Sequence, residues 1–280
     1  MHFMFSFSRW WMLVSLHWAE NRRRYVLGIL AMGGLLLFWF SVVLAMDAYN
    51  PLSFSYQFAT FYIGLFFTGC LFGSQVFSAL NRKREALQYL MVPASHLEKL
   101  LCGLLYGVVL FFIVYTMLFY LVDIPMVGLA GRIAKKAPQI YVQGGTPGQG
   151  PGVYTIFGGG GGHLPNDAGL YLLMVYFAVQ AFFILGSIYF TRYSILKTII
   201  AGLLLSLLGS LFIGKIIEAN LPAGWQMENL FDWYRYDKPG DGEWVRLPPA
   251  TKEFLTGIIK YSLPFIFWIV TYFRLKEKEV

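Results

Sequence analysis

Long stretches without charge alternate along this chain with short polar ones. Uncharged runs cover 25–46, 53–81, 100–122, 168–191 and 198–214, and a sixth at 254–273 is interrupted only by Lys260. A helix crosses the ~30 Å hydrocarbon core of a bilayer with about 20 apolar residues. The pattern therefore predicts an all-α polytopic membrane protein with about six transmembrane helices, at about 25–46, 54–79, 100–122, 168–191, 197–216 and 254–273. Residues 1–24 form a separate unit. Phe3, Phe7, Trp10, Trp11, Val14 and Trp18 recur at helical spacing, while Ser6, Arg9, His17 and Glu20 fall elsewhere on the wheel. That pattern predicts an amphipathic helix lying in the membrane interface, stopped by Arg22, Arg23 and Arg24.

The segment 80–99 between the second and third spans is expected to be ordered. Leu87, Leu90 and Met91 have i, i+3, i+4 spacing behind a basic start, which predicts a short helix. Pro93 should end it, because the residue before a proline is biased out of the α region. Ser95 and Glu98 are spaced as a capping box opening the third span. The remaining loops are expected on the other side. Residues 123–167 hold 12 glycines and 5 prolines, too many for a stable core, and predict a flexible loop. The segment 215–253, with Trp225, Trp233 and Trp244 among charges, predicts short helices at the interface.

Composition agrees with lipid as the solvent: 57% of residues are apolar and 13% charged, against about 25% charged in an ordinary soluble chain. The net charge of +7 sorts by side. With the N-terminus in the cytoplasm, the segments on that side hold 13 Lys and Arg against 5 acids, and the other side 9 against 10. The excess follows the positive-inside rule, which places both termini in the cytoplasm and gives no support to a nucleic-acid partner. The first run follows 24 residues of aromatic and basic sequence and exceeds the length of a signal-peptide core, so it is expected to remain as an anchor. Gly69 with Gly73, and Gly103 with Gly107, are small-residue spacings that let helices approach closely. Cys70 and Cys102 fall within apolar runs and read as packing residues.

Motifs for chemistry fail on inspection. Gly209 to Lys215 matches the first seven positions of a phosphate-binding loop, but Ile216 stands where a hydroxyl is needed. Gly158 to Gly162 is followed by His163 rather than a lysine. The four histidines form no HExxH pair, and no GxSxG elbow occurs. Lys260 stands about two turns inside the sixth span, where a lysine can snorkel to the headgroups. The chain is thus expected to hold no catalytic residues, metal or cofactor of its own.

The order of these features resembles the membrane subunits of ATP-binding-cassette exporters of the type-2 permease class. The resemblance lies in an aromatic N-terminal helix, six spans, and a basic helix followed by Leu90, Met91, Val92, Pro93, Ala94 and Ser95, then Glu98 and Lys99. The long loop 123–167 departs from that family, in which it is short. The resemblance implies that 80–99 is a coupling segment seated on an ATPase subunit that binds ATP and Mg. Arg82, Arg84, Leu87, Leu90 and Met91 would make that contact, with Pro93, Ser95 and Glu98 passing the push into span three. It also implies pairing with a second permease, the same or homologous, in a bacterial cytoplasmic (inner) membrane. Dry spans suit a lipid-like or amphipathic cargo. The alternative is a non-transporting scaffold or sensor of an envelope assembly.

Overall fold

A computed structural model describes residues 5–46, 52–81, 86, 91–136, 152–156, 168–220, 225–229, 232–238, 241–246 and 249–278. Five helical stretches are long and apolar enough to cross a membrane: Phe7–Met46, Phe54–Leu80, His96–Ile133, Gly169–Tyr189 and Ser194–Lys215. In chain order the helices are α1 (Phe7–Met46), α2 (Phe54–Gly73), α3 (His96–Leu104), α4 (Phe111–Lys136), α5 (Ala168–Tyr189), α6 (Ser194–Asn220) and α7 (Pro249–Lys278). A 3-10 turn, Ser78–Asn81, follows α2, and a π-helical turn, Leu105–Leu110, joins α3 to α4. The helix α7 runs beside α5 in the same direction, with Phe267 against Phe182 and the Arg274 guanidinium 4.6 Å above the Tyr189 ring.

Three expectations are corrected. Residues 7–46 are one helix of 40 residues, so no break separates an interfacial segment from the first span. Arginine is a good helix former, and three in a row change the solvent a helix prefers without interrupting its backbone. Residues 123–136 continue α4 rather than opening a loop. Pro125 lies inside that helix, which continues past it despite the lost backbone hydrogen bond and the crowding of the carbonyl one turn back. Between α6 and α7 stands an antiparallel sheet instead of interfacial helices: β1 (Trp225–Asn229), β2 (Asp232–Lys238) and β3 (Asp241–Arg246), in spatial order β1-β2-β3. Trp225 pairs with Arg235, and Tyr234 with Trp244. The aromatic and β-branched residues of 233–245, with a Pro-Gly dipeptide at 239–240, are hairpin signals that outweigh the tryptophan content.

Close approach at glycine holds the bundle. A methyl on Gly69 would stand 2.6 Å from the Tyr176 ring of α5, and one on Gly107 would stand 2.9 Å from Val76. Gly103 receives Phe77 in the same way. The two small-residue spacings of the sequence therefore serve packing. The main core gathers Phe40 of α1, Phe61 and Leu65 of α2, Tyr115 and Phe119 of α4, and Tyr176 of α5. A second cluster joins Phe77, Leu80, Leu100, Ile188 and Leu275. It brings the end of α7 to the same end of the bundle as the start of α3, which we call the hook end.

At the opposite end a short stretch of the glycine-rich region is docked. Tyr154 is buried against Phe54, Phe58, Phe61 and Tyr62. Gln57, fully buried in α2, donates to the Leu52 and Gly152 carbonyls at 2.8 and 2.9 Å and accepts from the Tyr154 amide at 2.7 Å. The Tyr120 hydroxyl accepts from the Ile156 amide at 3.2 Å. Residues 152–156 are therefore docked on the bundle, in contrast to the flexible loop expected over 123–167, of which 137–151 and 157–167 lie outside the described residues.

Candidate functional site

The hook end carries the described part of the segment 80–99, which is expected from the sequence to seat a partner. Of the residues expected to contact a partner, Arg82, Arg84, Leu87 and Leu90 lie outside the described residues. The visible part begins at Met91. A tight turn follows, in which the Ala94 amide donates to the Val92 carbonyl at 2.7 Å across Pro93. Proline's fixed φ suits the centre of such a three-residue turn. Alternate residues then face opposite ways. Met91 and Pro93 are exposed, whereas Val92 and Ala94 are half-buried against the cluster of Leu13, Val14, Cys102 and Tyr106.

Ser95 caps α3 as its sequence requires. Its hydroxyl accepts from the Glu98 amide at 3.2 Å, and the Glu98 carboxylate accepts from the Ser95 amide at 2.7 Å. The other carboxylate oxygen reaches α1, accepting from the Ser6 amide at 2.7 Å and the Arg9 guanidinium at 3.2 Å. Glu98 is fully buried by these contacts. It is expected from the sequence as a contact that passes a partner's push, and the structure turns it inward, as a clasp between the start of α1 and the start of α3. Lys99 is buried beside it.

Above the clasp α1 lies along α3. The Tyr106 hydroxyl donates to the Val14 carbonyl at 2.9 Å, its ring stacks on Tyr25 with centroids 5.7 Å apart, and His17 lies 4.6 Å from it. His17 Nε2 and the Tyr25 hydroxyl are 2.6 Å apart. The inward side of this part of α1 is thus Leu13 and Val14, with His17 half-buried beside them, so the face that the wheel assigned to lipid is divided. Its Val14 is buried and its Trp10 half-buried against the same cluster, while Phe7, Trp11 and Trp18 are exposed.

Tyr106 and Gly107 belong to the π-helical turn. Such a turn misaligns the backbone ladder and is found most often at functional positions. Here the Gly107 carbonyl accepts from Nε2 of Gln180, a fully buried residue of α5, at 2.5 Å. Sequence reasoning missed both Gln180 and the turn. An amide isolated in the apolar run 168–191 is the signal that could have found Gln180, because a buried polar group requires a partner.

Beside the hook lies an open cavity of about 430 Å³, lined by Ser74, Gln75 and Ser78 from the end of α2 and by Tyr193, Ser194 and Leu196 from the α5–α6 turn. Tyr193 sits at φ 55°, a left-handed conformation uncommon for a non-glycine residue. Among the described residues no group of three His, Cys, Asp or Glu side chains is gathered as a metal site would need. The side chain of Lys260 lies outside the described residues. Comparison with family models, curated proteins and solved structures finds no match to this chain.

Proposed function

We propose that this chain is the permease subunit of an ATP-driven exporter, moving a lipid-like or amphipathic cargo by alternating access, with ATP and Mg held by a separate ATPase subunit. The helix α7 serves as a sixth span beside the five others. The hook end then faces the cytoplasm, and two permease copies pair in a bacterial inner membrane. One observation carries the reading. The segment 91–99 presents Met91 and Pro93 outward, rests Val92 and Ala94 on the cluster that α1 shares with Cys102 and Tyr106, is fastened through Glu98 to Ser6 and Arg9, and opens without a break into a capped helix. A partner seated there would move α1 and α3 together. The basic and apolar residues Arg82, Arg84, Leu87 and Leu90 extend the same contact toward the partner.

The exporter is tested by purifying the tagged chain in mild detergent and identifying stoichiometric partners by mass spectrometry. An ATPase subunit that is lost on Leu87→Asp, with membrane insertion intact, is the expected result. Its absence from purifications that keep the complex together would refute the proposal. A scaffold or sensor role would then take its place, favoured by the sheet 225–246, whose outer strands β1 and β3 each pair on one side only among the described residues. Such edges accept an added strand from another protein.

A further inference from the structure

Two carboxylates are fully buried among the described side chains, and they are treated very differently. Glu98 has donors on both oxygens, whereas Asp123 of α4 is 0% exposed with neither oxygen hydrogen-bonded among the described residues. An ionised carboxylate buried without a donor is strongly unfavourable, and the protonated form is the one such a site tolerates. A buried ionisable residue whose charge nothing compensates is a candidate functional position.

Its surroundings show what ionisation would disturb. Phe119, Val122, Met126 and Val127, the neighbours of Asp123 on its helix face, belong to the cluster that buries Tyr154 and Ile156. Tyr120, one helical turn earlier, holds the Ile156 amide. The facing part of α1 offers apolar Leu36 and Phe40, while α2 brings Gln57 and Tyr62 and the docked segment brings Tyr154. Gln57 is committed to Leu52, Gly152 and Tyr154, and the Tyr62 hydroxyl donates to the Gly169 carbonyl at 2.7 Å. From α5, the Tyr176 hydroxyl is buried in the same cluster without a partner. No lysine, arginine or histidine is paired with Asp123 among the described residues.

We infer that Asp123 is a proton-binding site that controls the docking of residues 152–156. With the proton on its carboxyl, the segment seats over the aromatic cluster. Loss of the proton to bulk water leaves a charge that water must reach, and the five-residue segment held by Gln57 and Tyr120 is the shortest element packed into this cluster. The segment lifts, and the cluster opens at the end of the bundle opposite the hook. Because opening is linked to release of one proton, its equilibrium rises about tenfold per pH unit from the pH at which an exposed aspartate titrates up to the pH at which the docked carboxyl itself ionises, and is flat beyond it.

The test uses the full chain in lipid nanodiscs with Cys70 and Cys102 replaced by alanine. A single cysteine is placed at Ile156, which is buried when docked, or at Thr155, which is exposed and reports the thiolate's own pH dependence. The labelling rate of Ile156→Cys relative to Thr155→Cys by an impermeant maleimide should rise about tenfold per pH unit, and should be flat and low with Asp123→Asn or Asp123→Leu. Infrared difference spectra should show a protonated-carboxyl band at neutral pH that these variants lack. If neither variant inserts, the parent band must persist through the rise in relative labelling and fade at the pH where that rise levels off. A flat ratio in the parent, an unchanged rise in the variants, or a band that fades well before the labelling levels off would each overturn the inference.

Discussion

Glu98→Gln tests the clasp by changing one atom. The carboxylate serves two backbone amides at 2.7 Å, Ser6 through one oxygen and Ser95 through the other, and also meets Arg9 at 3.2 Å. A glutamine can satisfy one amide with its oxygen but turns an NH2 toward the second, so a buried N–H is stranded and a charge-assisted bond is lost. That exchange costs about 1.5–3 kcal/mol. The Arg9 pair, whose guanidinium side is 34% exposed, adds no more than about 1 kcal/mol. At about 1.4 kcal/mol per factor of ten, a total of ~2–4 kcal/mol corresponds to local opening roughly 30- to several-hundred-fold more frequent. Amide hydrogen exchange with mass spectrometry reads this directly, in peptides covering Ser6 and Ser95. Arg9→Ala should accelerate the same amides by at most about fivefold. Exchange at both amides unchanged in Glu98→Gln would refute the clasp and, with it, the idea that the hook and α1 move as one.

Two further outcomes follow from the packing. Gln57→Leu removes the acceptor for Tyr154 and the donor for two carbonyls, at a cost of about 2–4 kcal/mol, and should expose 152–156 to limited proteolysis while helix content stays constant. Unchanged cleavage would show that aromatic burial of Tyr154 alone holds the segment. Gly69→Ala forces the Tyr176 ring aside and should destabilise the bundle by about 1–3 kcal/mol in thermal unfolding in detergent, with most of the loss recovered in a Gly69→Ala, Tyr176→Leu double variant. A neutral single variant would mean that α2 and α5 have slack at that crossing.

What the sequence made legible was chemistry between near neighbours. The capping box at Ser95 and Glu98 spans three residues and was readable from side-chain types alone. The second partner of Glu98 lies 92 positions away, and nothing in a local pattern points to Ser6. The small-residue spacings in α2 and α3 were readable as contact sites, but the rings and methyls that fill them were not. Asp123 was taken as the edge of a span because a charge ended an apolar run. Its own helix face, occupied by Phe119, Val122, Met126 and Val127, identifies it as interior once the apolar spacing is followed past it.

The coupling proposal depends on how rigidly the hook is tied to what lies behind it, and the contacts divide that question in two. From Met91 to Leu104 displacement has little freedom to dissipate. The turn at Pro93 is closed by a backbone bond, Ser95 and Glu98 fix the helix start, and Glu98 reaches across to Ser6. Beyond Leu104 the path meets the π-helical turn, where the regular ladder is interrupted and the Gly107 carbonyl is given to Gln180 of α5. Under that proposal a push on the hook would arrive at a point where α3 could change direction relative to α4 while remaining hydrogen-bonded to α5. Tyr106, within the same turn, is bonded and stacked to α1. The turn lies where three helices meet, which makes Gln180 and Tyr106 the positions at which a movement of the hook would be divided between bending one helix and shifting its neighbours.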